Sequence, residues 1–256
     1  SVLPYLSNLI PFTYGLTQSG GLLPLADEEL LAIAADYETR PVMHLSTITE
    51  EGTFSNGRAS MVLNDPALQQ RLAAEVLETI QRKGYTGLDV DFEFIFPEER
   101  ERYAEFVALL RRTLAPYGYP VTVALAPKTA ADQRGLLYEG HDYALLGAAA
   151  DYVFLMTYEW GYTYGPPMAV APLPNVRQVL AYALTEIPAE KIILGVPNYG
   201  YDWPLPFVQG SSRAQSISNE TAVELARRHG AQILFDETGR APWFRYVDEM
   251  GLEHEV

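Results

Sequence analysis

The fold is decided by residues 84–96, which read Gly84-Tyr85-Thr86-Gly87-Leu88-Asp89-Val90-Asp91-Phe92-Glu93-Phe94-Ile95-Phe96. Successive side chains of a β-strand point to opposite faces, so this pattern predicts a strand with Asp89, Asp91 and Glu93 on one face. The other face is aliphatic and aromatic, which predicts a central, covered strand. Like charges held together in a covered site keep at least one carboxyl protonated near neutral pH, and a protonated carboxyl can act as a general acid.

Two other interpretations of this acidic row remain open from spacing alone. An amphipathic strand with a solvated acidic face shows the same alternation. A row of carboxylate oxygens also suits Mg²⁺ or Ca²⁺, although no further cluster of Asp, Glu or His stands at the ends of the other predicted strands. His44 is the only histidine in those strands, and we interpret it as a packed residue.

On both sides of this strand, apolar and β-branched runs alternate with segments of helical periodicity, which predicts βα units around a parallel sheet. The predicted strands are residues 8–14, 42–47, 88–94, 121–126, 152–158 and 192–196. Asp65-Pro66 begins one predicted helix and Gly84 ends it. After the sixth strand, Ser218 begins a short helix, and residues 232–235 and 243–247 form a predicted hairpin. We therefore predict about six βα units over residues 1–210 and a truncated α+β insertion over residues 211–256.

Composition and charge exclude several classes of function. The chain has 256 residues, with 18 Lys and Arg against 33 Asp and Glu, a formal net charge of −15. This charge repels polyphosphate, so DNA and RNA are not expected partners. No apolar run approaches the ~20 residues of a membrane helix, and residues 1–4 lack the basic-then-apolar order of a signal peptide. Cysteine is absent, which excludes disulfides, thiolate nucleophiles and Cys-based zinc sites.

Three stretches, spread over most of the chain, carry recognisable motifs. Residues 86–93 match the pattern DGxDxDxE, with Thr86 in place of the leading Asp. Residues 156–160 match MxYD, with Glu159 in place of Asp, and residues 195–200 match GxPxYG. In this order the motifs resemble those of glycoside hydrolase family 18, the chitinase-like TIM barrels. The runs 126–128, 156–167 and 197–203 are most similar to the spore cortex-lytic N-acetylglucosaminidase branch.

The resemblance implies a fold and a mechanism. The fold would be an α/β TIM (β/α)8-type barrel, of which this chain holds strands two to seven and lacks the first and last. The enzyme would be a glycoside hydrolase that needs no cofactor and no metal ion and retains the anomeric configuration, because the sugar's own 2-acetamido oxygen attacks the anomeric carbon. Glu93 would protonate the leaving oxygen and later activate water. Asp91 would accept the acetamido N–H and Asp89 would share a proton with it, while the Tyr158 hydroxyl would hold the acetamido oxygen.

Candidate substrate contacts cluster near the motifs. Sugar rings present apolar C–H faces, so aromatic side chains suit an oligosaccharide cleft. The predicted contacts are Tyr14, Glu159, Trp160, Asn198, Tyr199 and Trp203.

The expected substrate is peptidoglycan of the spore-cortex type or another glycan that contains N-acetylglucosamine. A chitinase would carry the same acidic row with a different cleft. A non-catalytic sugar-binding barrel would typically lack the terminal glutamate, which is present here as Glu93. A metal-dependent hydrolase is a further alternative, which a chelator would reveal. The resemblance implies an exported protein that is associated with the cell wall or the spore.

Overall fold

The computed structural model describes residues 2–256 and contains two compact units. Unit 1 comprises Ser1–Leu155 and Ala183–Ile193, and unit 2 comprises Met156–Tyr182 and Leu194–Val256. Within the described part of the chain, no helix combines the length and the apolar character that crossing a membrane requires.

Unit 1 is built on a five-stranded sheet. The strands are β1 Asn8–Leu9, β2 Gly15–Leu16, β3 Leu22–Leu23, β4 Arg40–Pro41, β5 Met43–Ser46, β6 Leu88–Asp91, β7 Val121–Leu125, β8 Tyr152–Leu155 and β9 Ile192–Leu194. Strands β5 to β9 form this sheet, and four shorter strands precede them in the chain. The sheet has the order β5-β6-β7-β8-β9, and β5 to β8 pair in parallel. A parallel pair β1-β4 and an antiparallel pair β2-β3 accompany the sheet, and a parallel bridge joins Tyr14 to Leu45. The α/β class with a parallel sheet is therefore confirmed.

The helices follow the strands as βα units require. They are α1 Glu28–Asp36, α2 Asn56–Leu63, α3 Pro66–Lys83, α4 Arg100–Leu114, α5 Leu136–Glu139, α6 Tyr143–Ala149, α7 Leu173–Glu186 and α8 Asn219–His229. Short 3-10 helices cover Leu3–Tyr5, Pro97–Glu99, Ala115–Tyr117 and Ala189–Lys191.

Helix α3 begins and ends where its sequence predicts. The Asp65 carboxylate accepts hydrogen bonds from the backbone N–H groups of Ala67 and Leu68 at 2.9 and 3.1 Å, which caps the helix. Gly84 ends it with a φ of 78°, a left-handed conformation that glycine adopts without a Cβ clash. Helix α1 is less buried, since Leu30 is 45% exposed and Ala34 is its buried residue.

The predicted strands are longer than the observed ones. The first, predicted over residues 8–14, is reduced to Asn8–Leu9 and the isolated bridge at Tyr14. The third was expected to continue to residue 94 but ends at Asp91, and the sixth ends at Leu194 rather than at residue 196. Apolar and aromatic residues past a strand end continue the sequence alternation although the backbone has already left the ladder, so periodicity alone overestimates strand length.

Unit 2 contains a four-stranded sheet and a hairpin. Strands β10 Tyr199–Pro204, β11 Gln215–Ser218, β14 Arg245–Val247 and β15 Glu253–Glu255 form the order β11-β10-β15-β14. Ser218 caps α8 through Thr221 N–H, so the predicted helix is confirmed. A hairpin also forms, from β12 Leu234–Asp236 and β13 Ala241–Trp243, but its second strand ends where the predicted one, residues 243–247, begins, because Arg245–Val247 pairs with β15 instead. The four-stranded sheet was not predicted. The boundary predicted at residue 210 stays a prediction.

Candidate active site

Two of the predicted acids lie on strand β6 in unit 1. In the parallel register of β5 and β6, Asp89 lies beside His44 and Asp91 lies beside Ser46. Both carboxyl residues are only 6% exposed, because β5 and β7 flank their strand. This burial contradicts a solvated acidic face for these two positions.

His44 lies against both carboxyl groups. Its Nε2 atom is 3.5 Å from Asp89 Oδ2 and 3.6 Å from Asp91 Oδ2, and its Nδ1 atom is 2.6 Å from Thr13 Oγ1. From the sequence, His44 is interpreted as a packed residue, and its contacts with the two carboxyl groups are not predicted. No local sequence signal reveals these contacts, because they depend on the parallel register, which places the second residue of β5 beside the second residue of β6.

Burial shifts the titration of all three groups toward their neutral forms. It raises the pKa of Asp89 to about 7, and burial together with the charge of Asp89 raises the pKa of Asp91 to about 7. Burial also lowers the pKa of His44 to about 4. The Oδ1 atoms of Asp89 and Asp91 have no hydrogen-bond partner in the described structure. Near neutral pH each carboxyl is therefore close to its pKa, and its unbonded oxygen can form a hydrogen bond with a ligand.

Glu93 lies beyond the strand, because β6 ends at Asp91. Its side chain is half-buried, and the next residue, Phe94, has a φ of 55°, so the backbone turns immediately after it. The alternation of side chains along a strand therefore does not determine which way the Glu93 side chain points. Within residues 2–256, no group of three or more His, Asp and Glu side chains forms a site that could hold a metal ion.

Tyr14 is part of a buried network in unit 1. It is 3% exposed, and its hydroxyl donates to Asp27 Oδ2 at 2.6 Å. The same Asp27 carboxylate accepts hydrogen bonds from Tyr85 and Lys83. Burial and the bond to Asp27 raise the pKa of Tyr14. The hydroxyl of Tyr14 is therefore already bonded within the protein, and its predicted contact with a glycan stays a prediction.

The Glu159 carboxylate accepts hydrogen bonds from two tyrosines of unit 2. Its Oε1 atom accepts hydrogen bonds from the Tyr199 hydroxyl at 2.5 Å and the Tyr201 hydroxyl at 2.8 Å. Glu159 has a φ of 69°, which turns the chain at this point. Burial, followed by the bond to Glu159, raises the pKa of Tyr201 to about 12 and also raises that of Tyr199. Both hydroxyls therefore stay protonated at neutral pH and act as donors. Tyr201 was not among the predicted site residues.

The remaining predicted residues of unit 2 differ in exposure. Tyr158 and Trp160 are half-buried and Asn198 is exposed. Trp203 is 3% exposed and its indole N–H donates to Gly165 O at 2.9 Å, so its polar atom is already bonded. It packs in one cluster with Tyr201, and both residues border a cleft of about 1210 Å³ within unit 2.

The predicted residues thus fall into two groups. Unit 1 holds Tyr14, Asp89, Asp91 and Glu93, and the two aspartates both lie within 3.6 Å of His44 Nε2. Unit 2 holds the other six, of which Glu159 and Tyr199 are in direct contact.

The chain is similar in sequence and in structure to known glycosyl hydrolases. The family model described as Glycosyl hydrolases family 18 matches residues 50–252. A cortical fragment-lytic enzyme of Bacillus subtilis is 40% identical over 253 residues, which cover 99% of this chain and 58% of that protein. The crystal structure of the Bacillus cereus spore cortex-lytic enzyme SleL superposes with a TM-score of 0.93 at 38% identity, over 99% of this chain and 58% of that one.

A chitinase is also similar. The crystal structure of chitinase from Chromobacterium violaceum superposes with a TM-score of 0.86 at 26% identity, over 98% of this chain and 78% of that one. The chain spans somewhat more than half the length of the Bacillus relatives, 58% in the case of the Bacillus subtilis enzyme.

Proposed function

Because this chain belongs to glycosyl hydrolases family 18, we propose that it cleaves N-acetylglucosamine linkages in peptidoglycan, with spore cortex as the natural source. The observation that carries the proposal is the buried pair Asp89 and Asp91, each 6% exposed and within 3.6 Å of His44 Nε2, on the strand that leads directly to Glu93. Similarity to proteins named as cortex-lytic enzymes supports the choice of glycan.

The proposed reaction proceeds in two steps. Glu93 in its protonated form donates its proton to the glycosidic oxygen while the acetamido carbonyl oxygen of the same sugar attacks the anomeric carbon and the glycosidic bond breaks. Asp91 accepts the acetamido N–H and stabilises the cationic oxazolinium ion, and Asp89 holds the shared proton. Water then attacks the anomeric carbon and gives a proton to Glu93, which restores the acid. Two inversions at one carbon produce overall retention.

The other predicted residues are proposed to bind the glycan. Tyr158 holds the acetamido oxygen in line for attack. The substrate contacts are Tyr14, Glu159, Trp160, Asn198, Tyr199 and Trp203. The bonds from Tyr199 and Tyr201 to Glu159 support a preset orientation of that carboxylate, because a side chain held at its two oxygens loses little freedom on binding.

We propose also that the parallel sheet belongs to a (β/α)8-type barrel in which this chain supplies strands two to seven, as the similarity to solved family members suggests. We further propose an exported protein at the cell wall or spore. The net charge of −15 supports a partner other than nucleic acid.

The proposal is tested with Glu93→Gln, which keeps the size of the side chain and removes its transferable proton. We expect the release of muropeptides from purified cortex fragments, measured by mass spectrometry, to fall by about 10²- to 10⁴-fold, with an unchanged melting temperature. The matched control is Glu98→Gln, which changes an exposed glutamate five residues away. A Glu93→Gln protein that retains more than about a tenth of the wild-type rate would refute the role of Glu93.

The second candidate, a chitinase, is favoured by the 26% identity to the Chromobacterium violaceum enzyme. Both candidates share the same mechanism, so the substrate separates them. We expect faster turnover of cortex fragments than of chitotetraose, and the reverse order would assign the chitinase activity instead.

A further inference from the structure

The backbone that leads to Glu93 is held on both sides of Phe92. Beyond Asp91 the strand β6 has no ladder partner, yet Phe92 is fully buried. Its N–H group donates to the Tyr103 hydroxyl at 3.4 Å, and its ring stacks on that of Tyr103 with centroids 5.7 Å apart. Its carbonyl, which belongs to the peptide linking Phe92 to Glu93, lies 2.9 Å from His141 Nε2.

His141 connects two strand ends. Its Nδ1 atom accepts the backbone N–H of Ala126, the residue after β7, at 2.9 Å. An N–H group can only donate, so Nδ1 is unprotonated and the ring proton of neutral His141 sits on Nε2, where it donates to the Phe92 carbonyl. The imidazole is completely buried, and burial lowers its pKa to about 4, which keeps it neutral in this tautomer. The ring therefore continues the hydrogen bonding between β6 and β7 past the last backbone pair.

The position of His141 is itself fixed. The Lys128 ammonium donates to the His141 carbonyl at 3.0 Å. A Cβ on Gly140 would lie 2.4 Å from the carbonyl oxygen of Ile95, so only glycine lets this segment approach the backbone after Glu93 so closely. The imidazole thus contacts the residue before Glu93, and the backbone of Gly140 lies against Ile95 after it.

We propose that His141 is a positioning residue, whose Nε2–H donor sets the direction of the backbone at Glu93, just beyond strand β6. This inference rests on the proposed role of Glu93 as the general acid. His141 does not touch the substrate. It acts through the Phe92–Glu93 peptide, because rotation of that peptide would displace the carboxyl group that must meet the glycosidic oxygen.

Two substitutions of His141 distinguish a role in positioning Glu93 from a role in folding stability alone. The oxygen of His141→Asn occupies the place of Nδ1 and can accept the Ala126 N–H, but this side chain is too short to reach the Phe92 carbonyl. The amide nitrogen of His141→Gln occupies the place of Nε2 and can donate to that carbonyl. We expect kcat on cortex fragments to fall by about 10- to 100-fold in His141→Asn, with KM within about twofold, and to stay within about fivefold in His141→Gln. In NMR spectra the Glu93 amide resonance should move in His141→Asn and stay near its wild-type position in His141→Gln.

Failure of the positioning role and failure of the proposed function give different results. Equal losses of kcat in both variants, or wild-type kcat in His141→Asn, would overturn the positioning role while Glu93→Gln still tests the proposed function separately. Full activity of Glu93→Gln would overturn the proposed function and with it the inference. Should His141→Asn fail to fold, His141→Gln carries the test, because it keeps a donor to the Phe92 carbonyl. A kcat within about fivefold of wild type then supports the proposal, and a larger loss in a folded His141→Gln protein would overturn it.

Discussion

Asp89→Asn should change how stability depends on pH. Asp89 has a pKa of about 7 in the folded protein against 3.8 for a free aspartate, because burial disfavours its charged form. Between pH 4 and 7 the folded protein therefore keeps a proton that the unfolded chain has released, so the free energy of unfolding falls as pH rises. A pKa difference of one is worth about 1.4 kcal/mol, so the cost of ionising Asp89 reaches about 4 kcal/mol above pH 7. Ionised Asp89 would draw a proton onto His44, which makes this value an upper limit.

The assay is urea unfolding of wild type and Asp89→Asn at several pH values. We expect the stability of the variant relative to wild type to rise between pH 4 and 7 and to stay constant above pH 7. The lowered pKa values of His44 and His141 act in the opposite direction, because stability then rises with pH between 4 and 6.5. The contribution of His141 cancels in the difference, since both proteins carry this residue. The contribution of His44 does not cancel fully, because His44 contacts Asp89, and this coupling is the reason that the value of about 4 kcal/mol is an upper limit.

The control is Asp132→Asn, which removes an exposed carboxylate of unit 1. Its stability relative to wild type should stay within about 0.5 kcal/mol across the same range, as for other surface substitutions. A flat difference for Asp89→Asn, or one that declines as pH rises, would refute the claim that burial raises the pKa of Asp89.

Three further predictions concern other parts of the molecule. Asp27→Ala should destabilise the protein by about 3–5 kcal/mol in urea unfolding, because it leaves the ammonium of Lys83 without its buried partner. Glu28→Gln beside it should cost much less, because Glu28 is exposed to solvent, and similar losses in both variants would contradict this prediction. Ser218→Ala should cost about 1 kcal/mol through loss of the bond from Thr221 N–H, and an unchanged unfolding midpoint would show that this cap contributes nothing. Proton NMR of the first product formed should show the retained anomer, and an inverted anomer would exclude attack by the acetamido group.

Local sequence determined the elements whose signals lie within a few residues. The helix between Asp65 and Gly84 has its cap, its first-turn proline and its terminal glycine in the sequence, and it forms where they predict. The cap at Ser218 is a further example. The alternation around Asp89 and Asp91 likewise predicts a covered strand, because the period of two is a property of the extended backbone itself.

The tertiary structure decided what surrounds these residues. His44 meets Asp89 only because β5 and β6 pair in one particular register, and these two residues are 45 positions apart in the chain. Likewise, Glu159 and Tyr199 are 40 residues apart and become neighbours only through folding. Neither the end of β6 at Asp91 nor the bond of His141 to the Phe92 carbonyl has a local signal, since both depend on which backbone groups another strand or side chain reaches. Residue types and spacing therefore predict the chemistry of the acidic row, whereas its protonation and orientation arise from burial and long-range hydrogen bonds, which only the packed chain creates.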